Sequence, residues 1–317
     1  MRTALIFGVT GQDGYYLARQ LLARGYRVCG TSRDGGGRNA QHLQSVLGLT
    51  ALQIYSVSST DFYSVFRVIS ETAPDEIYNL SGQSSVGLSF EQPLETHHSI
   101  VSATINILEV ARLTTRPMRL YFAGSSEAFG ETPEAGATET TPFQPKSPYG
   151  VAKAAAAWQV KNYRESYGLF ACTGILFNHE SRLRPPRFVT RKIIDVAKRI
   201  ASGSPEILTL GDIGIARDWG HAPEYVDAMW RILQHHQARD FVIATGEQHT
   251  LQEFVALAFG RLGLSWRDHV RTDESLHRPN EIRVTVGNAA LAREVLGWSA
   301  QVRLPVLIDT LLSDDPI

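Results

Sequence analysis

The sequence is poor in cysteine and lacks any long apolar run. Only two cysteines, Cys29 and Cys172, occur in 317 residues, and both lie in apolar stretches. Two such cysteines provide neither a disulfide framework nor the spacing of a zinc site, so we expect buried free thiols and a reducing, cytoplasmic location. No run reaches the roughly 18 apolar residues that span a bilayer, which argues against a membrane protein.

A net excess of charge is also absent. Lys and Arg number 31 against 32 Asp and Glu, which gives a formal net charge of -1. A near-neutral chain has no bulk attraction for nucleic acids or acidic membranes, although a local basic pocket for a phosphate stays open. The pairs His97–His98 and His235–His236 are adjacent. This spacing does not place two ligands on one helix face, so we expect no metal site.

Short apolar runs alternate with helical stretches through the first half of the chain. The periodicity predicts helices over Tyr15–Arg24 and about 191–202, and a mostly helical tail after about 250 with a break at Pro279. Strands alternating with helices predict an α/β fold, with a Rossmann-type doubly wound parallel sheet covered by helices on both faces. The predicted strands are Thr3–Phe7, Tyr26–Gly30, Leu52–Val57, Glu76–Leu80, Arg119–Ala123, Ala171–Phe177 and Phe241–Gly246.

A glycine-rich loop joins the first predicted strand to the first helix. Gly8, Gly11 and Gly14 form GVTGQDG at this junction. Glycines allow a tight turn and a close approach of the backbone to a pyrophosphate, and the helix N-terminus presents free N–H groups to that anion. In this strand–turn–helix context the loop predicts a dinucleotide site.

The end of the second predicted strand indicates which dinucleotide is bound. A carboxylate there would bind the ribose 2′-hydroxyl of NAD, whereas this sequence reads Thr31–Ser32–Arg33. Hydroxyls and a guanidinium suit a 2′-phosphate and therefore favour NADP, although Asp34 opposes this assignment. Arg38 is either a second phosphate partner or a solvated loop charge.

The pattern changes after about Asn178, where prolines and arginines predict a loop over 178–190. We therefore expect an NADP-binding domain over residues 1–177, to which residues 216–246 return. Residues 178–215 and 247–317 would form a smaller, interleaved C-terminal substrate lobe.

Tyr149 and Lys153 are four residues apart in YGVAK, which places a phenol and an ammonium on one helix face. The lysine is expected to favour the phenolate and lower the pKa of Tyr149, so that the phenol can act as a base near neutral pH. The same lysine can hold the nicotinamide ribose. A surface pair is the alternative, which the N-terminal dinucleotide loop disfavours.

Ser125 and Glu127 follow the strand that ends at Ala123. The hydroxyl can bind a substrate oxygen and assist the tyrosine. The carboxylate suits a reaction that breaks a C–H bond and expels water, because both steps need proton transfer. Glu127 could instead be a structural cap of the next turn.

These residues together resemble the extended short-chain dehydrogenase/reductase family, and within it the GDP-mannose 4,6-dehydratase group. The resemblance spans about residues 3–300. The segments that carry it include GVTGQDGYYLARQLL, YNLSGQSSVGLSFEQP, SSEAFG and SPYGVAK. Three further segments distinguish this group from typical epimerases and reductases of the superfamily: NHES, FVTRKI and RDWGHA.

The resemblance implies a role for each matching residue. Ser125, Glu127, Tyr149 and Lys153 would be catalytic. NADP would be held by Gly8, Thr10, Gly11, Gln12, Asp13, Gly14, Arg33, Leu80, Gln83, Lys153, His179 and Arg184. A GDP-sugar would be held by Ser84, Ser126, Asn178, Lys192, Arg217 and Arg278, and clustered cations suit its two phosphates.

The chain departs from the family pattern at several positions. Ser125 stands where the family usually has Thr, and Ser58 where it has an acidic residue near the adenine. One arginine is lost in the run after Glu180. The glycine-rich arm after Arg33 differs from the family arm that reaches a neighbouring subunit, so a homodimer and a homotetramer both stay open.

The resemblance implies conversion of a GDP-hexose into its 4-keto-6-deoxy product. Tyr149 would take the proton of the 4-hydroxyl, and Glu127 would remove the C5 proton and protonate the departing 6-hydroxyl. Hydride would pass from C4 to C6 through NADP, without net redox. The alternatives are a dehydratase of a related GDP-heptose, a GDP-sugar reductase or epimerase of this fold, and a non-catalytic NADP-binding regulator.

Overall fold

The computed structural model describes residues 1–35, 37, 41, 43–44, 48–114 and 116–314. Its strands are β1 (Thr3–Phe7), β2 (Arg27–Ser32), β3 (Gln53–Ser56), β4 (Glu76–Asn79), β5 (Arg119–Ser125), β6 (Phe170–Leu176), β7 (Asn178–Glu180), β8 (Leu208–Leu210), β9 (Ala216–Arg217), β10 (Trp219–His221), β11 (Phe241–Ile243), β12 (His249–Thr250) and β13 (Val270–Thr272).

The helices alternate with these strands. They are α1 (Gln12–Ala23), α2 (Phe62–Thr72), α3 (Val86–Glu91), α4 (Pro93–His97), α5 (Ala103–Leu113), α6 (Pro148–Tyr167), α7 (Val189–Ala201), α8 (Ala222–Gln234), α9 (Leu251–Arg261), α10 (Trp266–His269), α11 (Ala290–Leu296) and α12 (Leu304–Leu312). A π-helical turn at His98–Ser102 joins α4 to α5, and 3₁₀ turns lie at Ser126–Ala128 and Glu274–Leu276.

Seven strands form one parallel sheet in the order β11-β6-β5-β4-β1-β2-β3. The α/β fold with a doubly wound parallel sheet is therefore confirmed. The strand order reverses at β1, which pairs with β2 on one side and β4 on the other. In open parallel sheets, ligands bind outside the carboxyl ends of the strands at such a switch point. The loops after β1 and β4 line this crevice.

Local sequence explains where the central helix α6 begins and ends. Ser147 caps it by accepting a hydrogen bond from the Gly150 N–H at 3.0 Å, and Pro148 occupies the first helical position, where no N–H is needed. Gly168 ends it in the left-handed conformation at φ +68°. These two signals fix the register in which the helix presents Tyr149 to the sheet.

The prediction of a loop over residues 178–190 is wrong at its start. Residues 178–180 form β7, which pairs in parallel with β10. This strand is short, and its partner lies about forty residues further along the chain, so local periodicity contained no signal for it. The pairing brings the chain after β6 alongside the RDWGHA segment.

A separate hydrophobic cluster fills the C-terminal part of the molecule. It joins α7, α9 and α12 through side chains such as Ile193, Phe254 and Ile308, all fully buried. Residues of β11 and α8 belong instead to the clusters that cover the large sheet. The C-terminal part of the molecule thus has a core of its own.

Both cysteines are free and buried, as predicted. Within the described part of the chain, no helix is both long enough and apolar enough to cross a membrane.

Candidate active site

The glycine loop after β1 brings backbone, not side chains, to the switch point. Gly8 has φ +82°, and a Cβ there would lie 3.0 Å from the Leu80 backbone. A Cβ on Gly14 would lie 2.5 Å from the Val9 carbonyl oxygen, so α1 can start this close to β1 only with glycine. Gly11 precedes α1 without a side-chain cap. The first-turn N–H groups of α1 therefore remain available to an anion, and this cradle fits a dinucleotide pyrophosphate.

The side chains of Gln12 and Asp13 contact β7 and the residue that follows it. Gln12 Nε2 donates to the His179 carbonyl oxygen at 3.1 Å, and Ser181 Oγ donates to Gln12 Oε1 at 2.8 Å. Asp13 Oδ2 lies 2.9 Å from His179 Nε2. The two residues thus tie the dinucleotide loop to the chain that leads into the C-terminal lobe.

His179 is held as a cation by its surroundings. Its Nδ1 lies 2.7 Å from the Phe177 carbonyl oxygen and its Nε2 faces the Asp13 carboxylate, and both of these partners only accept hydrogen bonds. Burial lowers the pKa of His179, but the Asp13 charge and hydrogen bond outweigh it and raise the pKa. The ring stacks on Tyr225 with centroids 4.7 Å apart. The same pairing holds the pKa of Asp13 at about 2 against burial, which acts to raise it.

Arg33 lies at the mouth of the crevice at the end of β2. Its side chain is 87% exposed and its Nη1 lies 3.9 Å from Glu95. A guanidinium at this place is accessible to a 2′-phosphate. Arg38, the other cation considered for this phosphate, lies outside the described residues.

Tyr149 and Lys153 are both buried on the face of α6 that packs against β5. Lys153 Nζ donates to the Ala123 carbonyl oxygen at 2.8 Å and lies 5.7 Å from the centroid of the Tyr149 ring. The phenol therefore sits beside the carboxyl end of β5, with an ammonium on the same side.

The expectation that Lys153 lowers the pKa of Tyr149 is wrong for this arrangement. Burial raises the pKa of Tyr149 to about 12, with the Ser125 hydroxyl opposing this shift and the Glu127 carboxylate adding to it. Burial also lowers the pKa of Lys153 to about 8. Both groups are desolvated together, and the ammonium is directed at a backbone carbonyl rather than at the phenol.

Ser125 is the last residue of β5 and Glu127 lies in the turn that follows it, and both influence the Tyr149 phenol. Ser125 Oγ accepts from the Glu127 N–H at 3.3 Å, which fixes the turn. Burial raises the pKa of Glu127, while the charges of Arg217 and Arg278 lower it. A hydroxyl, a phenol and a carboxyl group are thus gathered at one strand end, the set required for proton transfer to and from neighbouring substrate atoms.

Gly150 is a functional position that sequence reasoning missed. A Cβ on Gly150 would lie 2.5 Å from the Glu127 carbonyl oxygen, so only glycine lets α6 pack directly against the Ser126–Ala128 turn. This contact sets the spacing between the phenol and the carboxyl group. The signal was its place in YGVAK directly after the tyrosine.

Arg217 and Arg278 lie on the Glu127 side of the crevice. Arg217 is buried, and its Nη2 donates to Glu281 Oε1 at 2.9 Å. Arg278 Nη1 donates to the same oxygen at 3.4 Å. Both guanidiniums influence the Glu127 carboxyl, so they belong to the same site. Glu281 was not among the predicted residues.

The remaining predicted residues lie around these two ends. Gln83 Nε2 bonds the Ser85 carbonyl oxygen at 2.8 Å and Thr96 Oγ1 at 3.1 Å, and Lys192 Nζ is exposed and bonds the Thr209 carbonyl oxygen at 2.7 Å. The Arg184 guanidinium lies 3.8 Å from the centroid of the Phe188 ring, and its charge lowers the pKa of Tyr149. Four other predicted residues differ in their exposure to solvent. Leu80 and Asn178 are half-buried, Ser84 is exposed and Ser126 is buried. Thr10 lies half-buried in the glycine loop.

Comparisons with known proteins match the chain over almost its whole length. A family model described as GDP-mannose 4,6 dehydratase matches residues 5–311. The chain is 44% identical over 324 residues to GDP-mannose 4,6 dehydratase 2 of Arabidopsis thaliana, with 99% of this chain and 87% of the relative covered. It is 37% identical over 348 residues to the GDP-mannose 4,6-dehydratase of Vibrio cholerae, with 99% and 94% covered. Among solved structures, the UDP-glucose 4-epimerase of Thermus thermophilus in complex with NAD matches at 25% identity with a TM-score of 0.83, covering 99% of this chain and 100% of that chain.

Proposed function

The chain belongs to the GDP-mannose 4,6-dehydratase family, and we propose that it converts GDP-D-mannose into GDP-4-dehydro-6-deoxy-D-mannose with loss of one water. One observation carries this proposal: the Glu127 carboxyl lies with Ser125 and Tyr149 at the end of β5, facing two arginines. A simple alcohol dehydrogenation needs only the hydroxyl and the phenol. The additional carboxyl group supports a reaction that also moves a proton at a neighbouring carbon.

The cofactor of this proposal is NADP. The glycine cradle and the free first turn of α1 suit its pyrophosphate, and the exposed Arg33 suits its 2′-phosphate. When bound, NADP supplies the acceptor and then the donor of one hydride, and its oxidised ring adds a positive charge that favours the Tyr149 phenolate.

In the first half of the reaction, Tyr149 accepts the proton of the sugar 4-hydroxyl while the C4–H bond breaks. Ser125 Oγ lies beside the phenol and binds the oxygen that becomes the 4-ketone. Lys153 keeps a positive charge next to the phenolate and stays fixed through its bond to the Ala123 carbonyl. Ionisation of a buried phenol is unfavourable, and the groups that lower the pKa of Tyr149 are the Ser125 hydroxyl and the Arg184 charge, to which the bound oxidised ring would add.

In the second half of the reaction, Glu127 carries a proton from C5 to the hydroxyl group on C6. The 4-ketone acidifies the C5 hydrogen, and the carboxylate removes it. The same proton then passes from Glu127 to the departing 6-hydroxyl, so the C6–O bond breaks and water leaves. Hydride adds to C6, C5 takes up a proton from solvent, and Tyr149 releases the 4-hydroxyl proton to solvent, which leaves no net redox. Burial raises the pKa of Glu127, which lets the carboxyl group hold the proton between the two transfers.

Arg217 and Arg278 support the choice of a nucleoside diphosphate sugar. Two guanidiniums on the Glu127 side of the crevice match the two phosphates of a diphosphate, and Arg binds such oxygens in a bidentate geometry. The Tyr149 end would then receive the sugar.

We also propose that the protein is a homodimer or homotetramer. α5 and α6 pack together and expose large apolar side chains: Leu113 at 54%, Val151 at 51%, Trp158 at 56% and Tyr167 at 53%. Apolar exposure of this kind on adjacent helices supports an interface between copies. Light scattering of the purified protein decides between the two masses, and a monomer contradicts the proposal.

The two free thiols support a reducing compartment such as the cytoplasm as the place of this reaction. Thiol labelling of the protein in intact cells, compared with labelling after purification, tests this.

Substitution Glu127→Gln tests the function most directly. With GDP-mannose, the unaltered enzyme is expected to give a product lighter by one water, detected by mass spectrometry, without stoichiometric formation of NADPH. Glu127→Gln keeps Ser125, Tyr149 and Lys153, so it should still oxidise C4 and accumulate enzyme-bound NADPH, while dehydration and solvent deuterium entry at C5 stop. If the variant forms the dehydrated product at the normal rate, Glu127 is structural and the dehydratase mechanism is wrong.

A further inference from the structure

Glu281 joins the two arginines on the Glu127 side of the crevice through a single oxygen. Its Oε1 accepts from Arg217 Nη2 at 2.9 Å and from Arg278 Nη1 at 3.4 Å. The Arg217 side chain is only 6% exposed, and that of Glu281 21%. Two like charges this close together repel, and a shared carboxylate oxygen removes most of that repulsion.

The remaining contacts of Arg217 fix it to backbone. Its Nη1 donates to the Ala216 carbonyl oxygen at 2.9 Å and lies 3.4 Å from the Arg283 carbonyl oxygen. The same two stretches are bonded to each other, because the Ala216 N–H donates to the Arg283 carbonyl oxygen at 2.7 Å. Glu281 lies two residues before Arg283. The Arg217 guanidinium is therefore held by the Glu281 carboxylate together with the carbonyl oxygens of Ala216 and Arg283.

The charged groups around Glu127 include the same three residues. Burial raises the pKa of Glu127, Arg217 and Arg278 lower it, and Glu281 raises it. The Tyr149 phenol is the further titratable neighbour, and the Glu127 charge raises its pKa. Glu281 therefore offsets, at Glu127, the field of the two cations that would bind a diphosphate.

We propose that Glu281 is a positioning residue: it holds Arg217 and Arg278 in place for the diphosphate and shields Glu127 from their positive charge. This proposal rests on the proposed function, in which Glu127 acts as a base. Without this shielding, two cations strong enough to bind the diphosphate would also stabilise the Glu127 carboxylate and weaken it as a base.

Glu281→Gln removes the negative charge of Glu281 and keeps an oxygen that can accept a hydrogen bond. The amide keeps an oxygen that can accept from an arginine, so the affinity for GDP, measured by calorimetry without turnover, should stay within about threefold. Loss of the negative charge leaves the arginine field at Glu127 unopposed. The acidic limb of kcat/KM, which reports the free enzyme, should therefore move to lower pH. An unmoved limb overturns the shielding role.

Glu281→Ala removes both the charge and the acceptor. The arginines lose their shared anchor, and the affinity for GDP should fall about tenfold, the usual scale of a charge-assisted hydrogen bond. GDP binding equal to that of the unaltered protein overturns the positioning role. Thermal unfolding of each variant shows whether it is folded, and Glu281→Gln still decides the shielding role if the alanine variant does not fold.

Glu274→Gln is the matched control, because it removes the same charge from an exposed position of the same segment. It should change neither the GDP affinity nor the acidic limb of kcat/KM. If Glu274→Gln shifts the acidic limb as far as Glu281→Gln does, any negative charge in this segment has the same effect, and the proposal is wrong. The GDP measurements do not depend on catalysis. If the unaltered protein binds GDP but never dehydrates GDP-mannose, the proposed function fails while the positioning role of Glu281 is still decided by binding.

Discussion

The two ends of the crevice are built from different chemical groups. At the proposed dinucleotide end the chain offers backbone, because glycines at 8 and 14 let it approach closely and α1 presents its N–H groups. At the proposed sugar-nucleotide end it offers long charged side chains, Arg217, Arg278 and Glu281. A backbone site depends on the shape of the chain, whereas a side-chain site depends on the balance of its charges.

The largest effect is expected from loss of the Tyr149 phenol, which should abolish catalysis without changing ligand binding at either end of the crevice. Tyr149→Phe keeps the ring volume but removes the phenol, so turnover should fall about 10²–10⁴-fold, as for a lost acid or base. Neither the glycine cradle nor the arginines touch the phenol, so the dissociation constants of NADP and GDP should not change. Single-turnover kinetics and calorimetry measure both. A variant that retains the normal rate removes Tyr149 from the mechanism.

Asp13→Asn removes the ion pair from the connections between the dinucleotide loop and β7. The variant leaves a buried imidazolium without its counter-ion, and removal of one partner of such a pair destabilises a protein by about 3 kcal/mol. Chemical denaturation of both proteins measures the difference. Asp13→Glu, which keeps the charge, is the comparison variant, and it should lose less than Asp13→Asn.

The pH dependence of that difference follows from the two pKa shifts. The pKa of Asp13 is lowered from 3.8 to about 2, so its contribution is present above pH 3.8 and lost as the pH falls through about 2. The pKa of His179 is raised above 6.5, so its contribution is present below pH 6.5 and lost as the pH rises through the raised value. The stability difference should be greatest between pH 3.8 and 6.5. A difference that does not vary with pH contradicts the ion pair.

Gly14→Ala perturbs the backbone end alone. Its Cβ would overlap the Val9 carbonyl oxygen, and relief of such overpacking costs about 1–3 kcal/mol. Because the start of α1 must move, NADP binding should weaken about tenfold or more, while GDP binding stays the same. Gly203→Ala is the control, since a Cβ on Gly203 meets no atom, although its φ of +96° adds strain far from the loop. Equal loss of NADP affinity in both variants would contradict the cradle.

Arg33→Ala is expected to give the smallest effect, because this side chain is exposed and screened by water. It should weaken NADP binding several-fold and leave NAD binding unchanged, since only NADP carries the 2′-phosphate. Titration of both cofactors checks this. Equal losses for both would show that Arg33 does not bind the 2′-phosphate.

The contrast between the two ends also explains what the sequence could predict. The strand β1, the glycine loop and α1 are contiguous, so their pattern predicts both structure and chemistry. Tyr149 and Lys153 share a helix face, so their four-residue spacing also allowed the sequence to predict that they lie together. The bond between Arg217 and Glu281 crosses 64 residues, and β7 pairs with a strand 41 residues later. Such contacts arise only from the tertiary fold, and no local periodicity encodes them.

The pKa of Tyr149 shows a second limit of sequence reasoning. The four-residue spacing correctly places Lys153 near the phenol, but the direction of the shift depends on burial. Desolvation is a property of everything packed around α6, including β5 and the Ser126–Ala128 turn. Sequence spacing gives the neighbour and not the dielectric environment.

The position of β11 at the edge of the sheet has a consequence for synthesis of the chain. β11 pairs with β6, and Asp240 just before it accepts from the Thr173 N–H at 2.7 Å and from Arg164. On the ribosome, β6 emerges well before residues 240–243. Until they follow, one side of a buried strand displays unpaired N–H and C=O groups, which is the kind of edge that recruits other chains. Between the translation of β6 and that of β11, this edge of β6 is therefore open to pairing with other chains.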